Sequence, residues 1–462
     1  MRLFGLIVAA AFLSLGTQIV GLVGAHGITP AVSLLEQAKA VYDTRAWSLF
    51  PSLFWLHLDD LSLVVSCLVG ALGGLLISFG VARGALLLVC YLLYLSLFSV
   101  GQAFMHFQWD LLLLETLAIA LLVVLHHRSG AVMMRVLLFK FMFLSGCVKL
   151  LSGDQNWWSL SALNFHFETQ PLPTPLAWWA HHLPDLMLST GVAATLVIEL
   201  CFPFLIFAPR RPRLLAAAGF LALELLIGIT GNYNFFNLLT IALCLFMIDE
   251  ASWQRLRLAL PFKSVLTQSD GRRLVLAPII LLMLALNVLQ IVVPFTGAPT
   301  KNGFEPFYML SQISERIRPF CLVNGYGLFA VMTTERPEIE VQGSADGKDW
   351  RTYEFRYKPG TLDKRLGWII PHQPRLDWQM WFAALSRADR TPWFDGFLLR
   401  LLENEPAVTD LLGMNPFSDS APRFVRAQLY RYHFTSPQER QVSRQVWRRE
   451  LVGQYYPAVS LR

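Results

Sequence analysis

Nine apolar runs are spaced along the first two thirds of the chain, at 3–23, 61–79, 84–104, 110–126, 131–151, 185–208, 213–229, 235–249 and 273–295. A helix crossing a bilayer needs about 20 such residues, and all but the short fourth and eighth runs come near that length. Together they predict a polytopic α-helical membrane bundle of about nine transmembrane helices, residues 1–297. The first run, in MRLFGLIVAAAFLSLGTQIVGLVG, has an apolar core too long for a signal peptide and is followed by further spans, so it reads as a membrane helix. Gly70, Gly73 and Gly74 in the second run leave room for close helix packing. Between the two, WSLFPSLFWLHLDD sets Trp47 and Trp55 at headgroup level, with a lid over a substrate as the alternative.

Beyond Pro294 the period changes. GLFAVMTT, PEIEVQGS and WRTYEFRYK alternate apolar and polar residues, with Asp346-Gly347 as a hairpin turn before the third. LDWQMWFAAL and FDGFLLRLLENEPAVTDLL have a helical period, RFVRAQLYRYHFT is a further strand, and the basic stretch SRQVWRREL leads into GQYYPAVSL. Residues 298–462 therefore read as a β-rich, β-sandwich-like domain with helical additions. No Ser-His-Asp or Cys-His signature, phosphate loop or paired acid catalyst marks it. Trp378, Trp381, Trp393, Arg426 and Arg431 are residue types that anchor interfaces with a client protein, although any one such tryptophan more often packs its own core.

The composition, 55% hydrophobic and 15% charged with a mean hydropathy of +0.47, fits a membrane bundle carrying a water-exposed tail. The net charge of +6 informs through its placement. With Arg2 in the cytoplasm, nine crossings put Arg83, Arg128, Arg135, Arg210, Arg211, Arg213, Arg255, Arg257, Lys263, Arg272 and Arg273 on the same side, against Lys39 and Arg45 outside. The loop after Lys149 and the whole C-terminal domain then face away from the cytoplasm. No nucleic-acid motif accompanies the charge, which excludes that class of partner and leaves membrane lipids and an exported protein. Of six cysteines only Cys321 lies in the tail, where it has no disulfide partner, and no C-x-x-C metal spacing or cofactor motif occurs.

The densest candidate chemistry runs from Phe139 to Pro184. Lys140 and Lys149 lie in an apolar segment, where a charge requires a partner. Glu115, Glu199 and Glu224 lie in other spans, so a buried charge network of these five is expected. Nine residues at ~100° each set the lysines on opposite helix faces, each with its own partner, and Ser145 and Gly146 leave room beside Lys149. The extracytoplasmic loop 152–184 follows, with Trp157, Trp158, Trp178 and Trp179 suited to the membrane interface. Its alternating Pro171, Pro173 and Pro175 exclude a helix across QPLPTPLAWWAHHLP. His166, Glu168, His181 and His182 have metal-ligand chemistry but match no ligand motif, and a polar interfacial cluster explains them equally. The gathering of titratable groups at one membrane boundary admits an enzyme, Lys149 as base and His166 as acid or orienter, acting on a lipid or exported protein. Transport is disfavoured by the lack of an inverted repeat.

GLVGAHGITPA, FKFMFLSGCVKLLSGDQNWWSLSALNFHFETQPLPTPLAWWAHHLP, and NGYGLFAVMTTERPEIEVQGSADGKDWRTYEFRYKPG through HQPRLDWQMWFAAL resemble the lipase maturation factor family in long, ordered blocks over nearly the whole chain. The resemblance implies a membrane protein of the animal endoplasmic reticulum that helps secreted lipases fold and assemble, with its C-terminal domain in the lumen. It implies a maturation factor rather than an enzyme. The chain has few insertions, ends at SLR without a retention-like signal, and has no N-x-S/T site from Thr300 on. This compactness resembles a bacterial member, in the inner membrane with a periplasmic domain. More distantly, FLSGCVKLLSGDQNW is similar to a helix of vitamin K-dependent carboxylase-like proteins, which would put Lys149 at a catalytic base. EVQGSADGKDWRTYEF is similar to a hairpin of galactose-binding-like sandwiches.

Overall fold

A computed structural model describes residues 1–249, 270–301 and 303–461. Arg255, Arg257 and Lys263, assigned above to a cytoplasmic loop, lie outside the described residues. Every apolar run folds as helix. In chain order these helices are α1 (Arg2–Gly16), α3 (Asp60–Phe79), α4 (Arg83–Val100), α5 (Gln108–Leu125), α6 (His127–Leu151), α9 (Asp185–Leu200), α10 (Arg210–Thr230), α11 (Phe236–Cys244) and α12 (Asp270–Thr296). Shorter helices lie between them: α2 (Ala31–Tyr42), α7 (Ala162–Thr169) and α8 (Ala177–His181). Among the described residues, α3, α4, α5, α6, α10 and Val275–Thr296 of α12 are long and apolar enough to cross a membrane, so the chain is an integral membrane protein. The runs behind α1, α9 and α11 break into shorter pieces. Gln18 interrupts the first, where its amide donates to Ser14 O and Gln373 O, and Pro203 starts a separate turn after α9.

Small residues set the packing. A Cβ on Gly5 of α1 would lie 2.5 Å from Gly74 O of α3, so both positions need glycine for the helices to meet along their backbones. The bundle has two chemically distinct ends. At one, Arg210 and Arg213 reach Asp249 at 3.1 and 3.4 Å, and Arg135 donates to Phe246 O. At the other lie residues 24–59, the loop 152–184 and the C-terminal region.

The C-terminal region starts with α13 (Glu305–Ile317), beside α12, where Gln290 donates to Ser314. A four-stranded antiparallel sheet follows, in the order β2 (Arg351–Thr352), β1 (Arg336–Ser344), β5 (Phe424–Phe434), β6 (Trp447–Val459). β3 (Glu354–Phe355) and β4 (Leu412–Met414) form a separate ribbon. Helices α14 (Arg375–Ala384) and α15 (Pro392–Leu402) pack on β1 and β5, so the layer against the main sheet is helical where a sandwich has a second sheet. GLFAVMTT, expected as a strand, is irregular backbone instead. Its polar groups bond to α5 and to the loop 152–184: Gly327 N to Gln108, Phe329 O from Trp157 and Met332 N to Asp154. The basic SRQVWRREL supplies the start of β6, from Trp447.

The region is threaded into the helices. After α13, residues 318–327 run down into the bundle, where Tyr91 of α4 donates to Phe320 O, and return to Gln108 at the start of α5. A second insertion, His372–Arg375, enters beside α1, α4 and α5. Arg375, fully buried, grips both carboxylate oxygens of Asp110 at 2.8 and 3.0 Å and donates to Phe104 O at 2.6 Å, while Tyr94 donates to the same carboxylate at 2.6 Å. Bidentate geometry with every acceptor filled is the condition under which a buried pair holds its place. Arg375→Ala leaves Asp110 buried without a counter-charge and is expected to cost about 3–5 kcal/mol, whereas Asp110→Leu with Arg375→Met recovers most of it. Unfolding of wild type and of these two variants in one detergent checks this. Because β1 and α14 take hydrogen-bond partners from the loop 152–184 and the bundle, the fragment 298–462 alone is expected to be aggregated or unfolded by circular dichroism.

Candidate functional site

The predicted charges form separate pairs. Lys140 donates to Glu115 at 2.6 Å, both fully buried, and the second oxygen of Glu115 accepts from Tyr326 (2.8 Å), Asn324 N (3.0 Å) and Asn324 Nδ2 (3.1 Å). The inserted segment 318–327 therefore completes the coordination of an ion pair formed by α5 and α6. Lys149 pairs with Glu199 of α9 at 2.7 Å, donates to Ser145 O at 2.9 Å and lies over the Trp157 ring. Gly146 permits this approach, since a Cβ there would stand 2.9 Å from the Leu200 side chain and 3.0 Å from that of Glu199. Glu224 joins neither pair. It accepts from Asn237 at 2.7 Å.

The loop 152–184 is a folded plate rather than an open segment. Trp157 and Trp178 are buried, donating to Phe329 O and Thr435 O, whereas Trp158 and Trp179 are 59% and 61% exposed. The prolines keep residues 171–176 non-helical, but the chain re-enters helix at α8, so the exclusion of helix stops at Leu176. Pro171 O accepts from Arg336, Pro173 bridges to Gly231, and Pro175 precedes the turn into α8. Glu168 holds the loop to the sheet, accepting from Phe434 N at 2.9 Å and lying 3.1 Å from His433 and 3.7 Å from His181. His182 contacts Trp178 O at 2.7 Å, and His166 lies apart from these, beside Tyr233 and Phe329. The four residues considered for a metal do not converge on one point, and no group of three or more His, Cys, Asp or Glu among the described residues is placed to hold one.

Two heavily bonded buried arginines, Arg336 and Arg375, escaped sequence reasoning. Arg336 is fully buried, donates to Glu168 O, Gln170 O and Pro171 O, pairs with Glu338 at 2.7 Å and stacks on Trp447. Glu338 in turn meets Lys358 at 2.8 Å. Arg336 precedes an alternating strand and Arg375 follows a proline, positions that look solvated in sequence. The expected anchors Trp378, Trp381 and Trp393 are buried in the fold, Trp381 donating to Thr169 O, and Arg431 is occupied by Glu335 and Glu450. Arg426 lies over Trp350.

Chemically, this arrangement joins elements of the fold through its ion pairs. Lys149 Nζ donates to two acceptors and turns no lone pair toward a substrate. Replacing Lys149 by Met while leaving Glu199 is expected to cost about 3–5 kcal/mol, with Glu199→Gln in the same chain restoring much of it. Two histidines outside the spans add a pH dependence. Burial, helped by the Lys149 ammonium, pushes His166 down from the usual 6.5 to about 4; burial, helped by Arg375 and Arg356, does the same to His372. Ser14 Oγ, which accepts from Gln373 N, lies 3.0 Å from His372 Nδ1. Between these values the unfolded chain binds more protons than the folded one, so stability present above about pH 6.5 declines as pH falls toward 4. Melting temperatures across that range are expected to drop on acidification, with a shallower slope in His372→Gln.

Residues 1–255 match the lipase maturation factor transmembrane domain and residues 322–457 the lipase maturation factor C-terminal domain. The chain is 36% identical to lipase maturation factor 2 of Xenopus laevis and of Homo sapiens, each alignment covering 98% of this chain and 80% of the relative. It is 32% identical to lipase maturation factor 1 of Bos taurus over 100% of this chain and 88% of that protein. No solved structure matches. With both domains matched in order and identity sustained along its length, the chain belongs to the lipase maturation factor family.

Proposed function

We propose that this protein is a membrane-bound maturation factor that assists the folding and assembly of exported lipases. The observation that carries the reading is the similarity to proteins named lipase maturation factor over 98% of the chain, bundle and C-terminal region alike. The geometry supports it: the C-terminal region is seated in the bundle by Arg375, Arg336 and the 318–327 insertion, giving an anchored platform beside the membrane. The finer topology is part of the proposal, with about nine crossings and the loop 152–184 and C-terminal region on the side away from the cytoplasm. That side is the periplasm in a bacterial host and the endoplasmic reticulum lumen in a eukaryotic one. The relatives named above are animal proteins. The enzyme reading loses its motivation here, since Lys149 is consumed by Glu199, Ser145 and Trp157.

The test is the specific activity of an exported lipase, per unit of lipase protein, in cells lacking this chain and complemented with variants. Wild type and Lys149→Arg are both expected to restore activity, because arginine preserves the charge pair although it is a poor base. Arg375→Ala is expected to fail, by releasing the C-terminal region. Restoration by wild type alone, with Lys149→Arg folded but inert, contradicts the maturation-platform reading.

A further inference from the structure

One exposed tryptophan of the C-terminal region stands at an informative height. Asn232 lies two residues beyond Thr230, the last residue of the membrane helix α10. Its side-chain amide donates to Gly367 O at 2.9 Å, and its carbonyl accepts from Ile369 N at 2.8 Å. The backbone on both sides of Trp368 is thus tied to the outer end of α10. Ile370 reaches further down, its Cδ1 lying 3.9 Å from where a Cβ on Gly228 would be, within the helix itself. At 1.5 Å per residue, Trp368 cannot stand more than about one helical turn from that end. Trp368 is 57% exposed and Arg365 is also exposed.

What surrounds this position is apolar helix surface. Leu225, Leu226 and Ile229 on the last turns of α10 are exposed, as a lipid-facing surface requires. On the neighbouring side, Leu362 and Leu366 of the same loop pack on a cluster holding Leu188 of α9, next to exposed Leu186 and Met187. The loop therefore adjoins the exposed apolar end of α10, at the depth where tryptophan is favoured, its ring among headgroups and its body in the acyl boundary.

We propose that residues 365–370 insert into the outer leaflet, Trp368 seated among glycerophospholipid headgroups and Arg365 facing their phosphates. The C-terminal region is then held on the bilayer surface by its own lipid contact in addition to its protein contacts. This rests on α10 crossing the membrane and is independent of the client.

The test uses the full chain in phosphatidylcholine nanodiscs containing lipids brominated near the headgroup or near the chain ends. The emission lost in Trp368→Phe reports Trp368, and that lost in Trp179→Phe serves as a reference at the same membrane face. The Trp368 emission is expected to be quenched about twofold more by shallow than by deep bromine, and to be shielded from aqueous iodide. Quenching by iodide with no response to bromine at either depth places the ring in water and overturns the proposal, freeing it for a protein partner. If Trp179 responds to bromine and Trp368 does not, the lipid contact alone fails; if neither responds, the membrane placement of this face fails with it. An unchanged melting temperature in Trp368→Phe confirms that the difference emission comes from a folded protein.

Discussion

A charge buried away from water needs a counter-charge and a full set of hydrogen bonds, and three such pairs, Lys140–Glu115, Lys149–Glu199 and Arg375–Asp110, decide how this chain is assembled. They differ in what they join. Lys149–Glu199 ties α6 to α9 inside the bundle. Lys140–Glu115 ties α5 to α6 but is completed by Asn324 and Tyr326, which come from beyond the last span. Arg375–Asp110 joins the two halves of the chain directly. Separating the halves would strip donors from two carboxylates in low dielectric, so the C-terminal region is coupled to the helices by electrostatics as well as by packing.

That coupling gives the loop 152–184 its form. A loop carrying three alternating prolines cannot satisfy its own carbonyls by helix, and here they are satisfied from outside: Arg336 takes those of Glu168, Gln170 and Pro171, and Trp381 takes that of Thr169. Glu168 returns the contact by capping the end of β5 at Phe434. The loop becomes a layer between sheet and bundle, with Trp158 and Trp179 outward and Trp157 and Trp178 inward.

Much was legible in the sequence because hydrophobic burial is a local property repeated along the chain. Apolar runs foretold the helices of the bundle, six of which, among the described residues, are long enough to cross a membrane; alternation foretold β1 and β5, and Lys140 and Lys149 announced that carboxylates must lie near them. The strand expected at GLFAVMTT fails for the opposite reason. The polar groups of that stretch are satisfied by Gln108, Ser152, Asp154 and Trp157 instead of by a neighbouring strand, and periodicity cannot foresee such partners.

The sequence by itself thus determined the class of the protein, its membrane half and the need for buried charge pairing, all of which follow from the cost of exposing apolar groups to water or bare charges to lipid. Only the tertiary structure decided which carboxylate each lysine takes, that Arg336 and Arg375 are interior residues, and that Trp378, Trp381 and Trp393 face inward. The lysines find their carboxylates 25 and 50 positions away, and the arginines their acceptors more than 100 away, Asp110 for Arg375 and Gln170 for Arg336. An arginine in a polar stretch carries no mark of the distant acceptor that will bury it, because the energy of the pair exists only once the chain has brought both ends together.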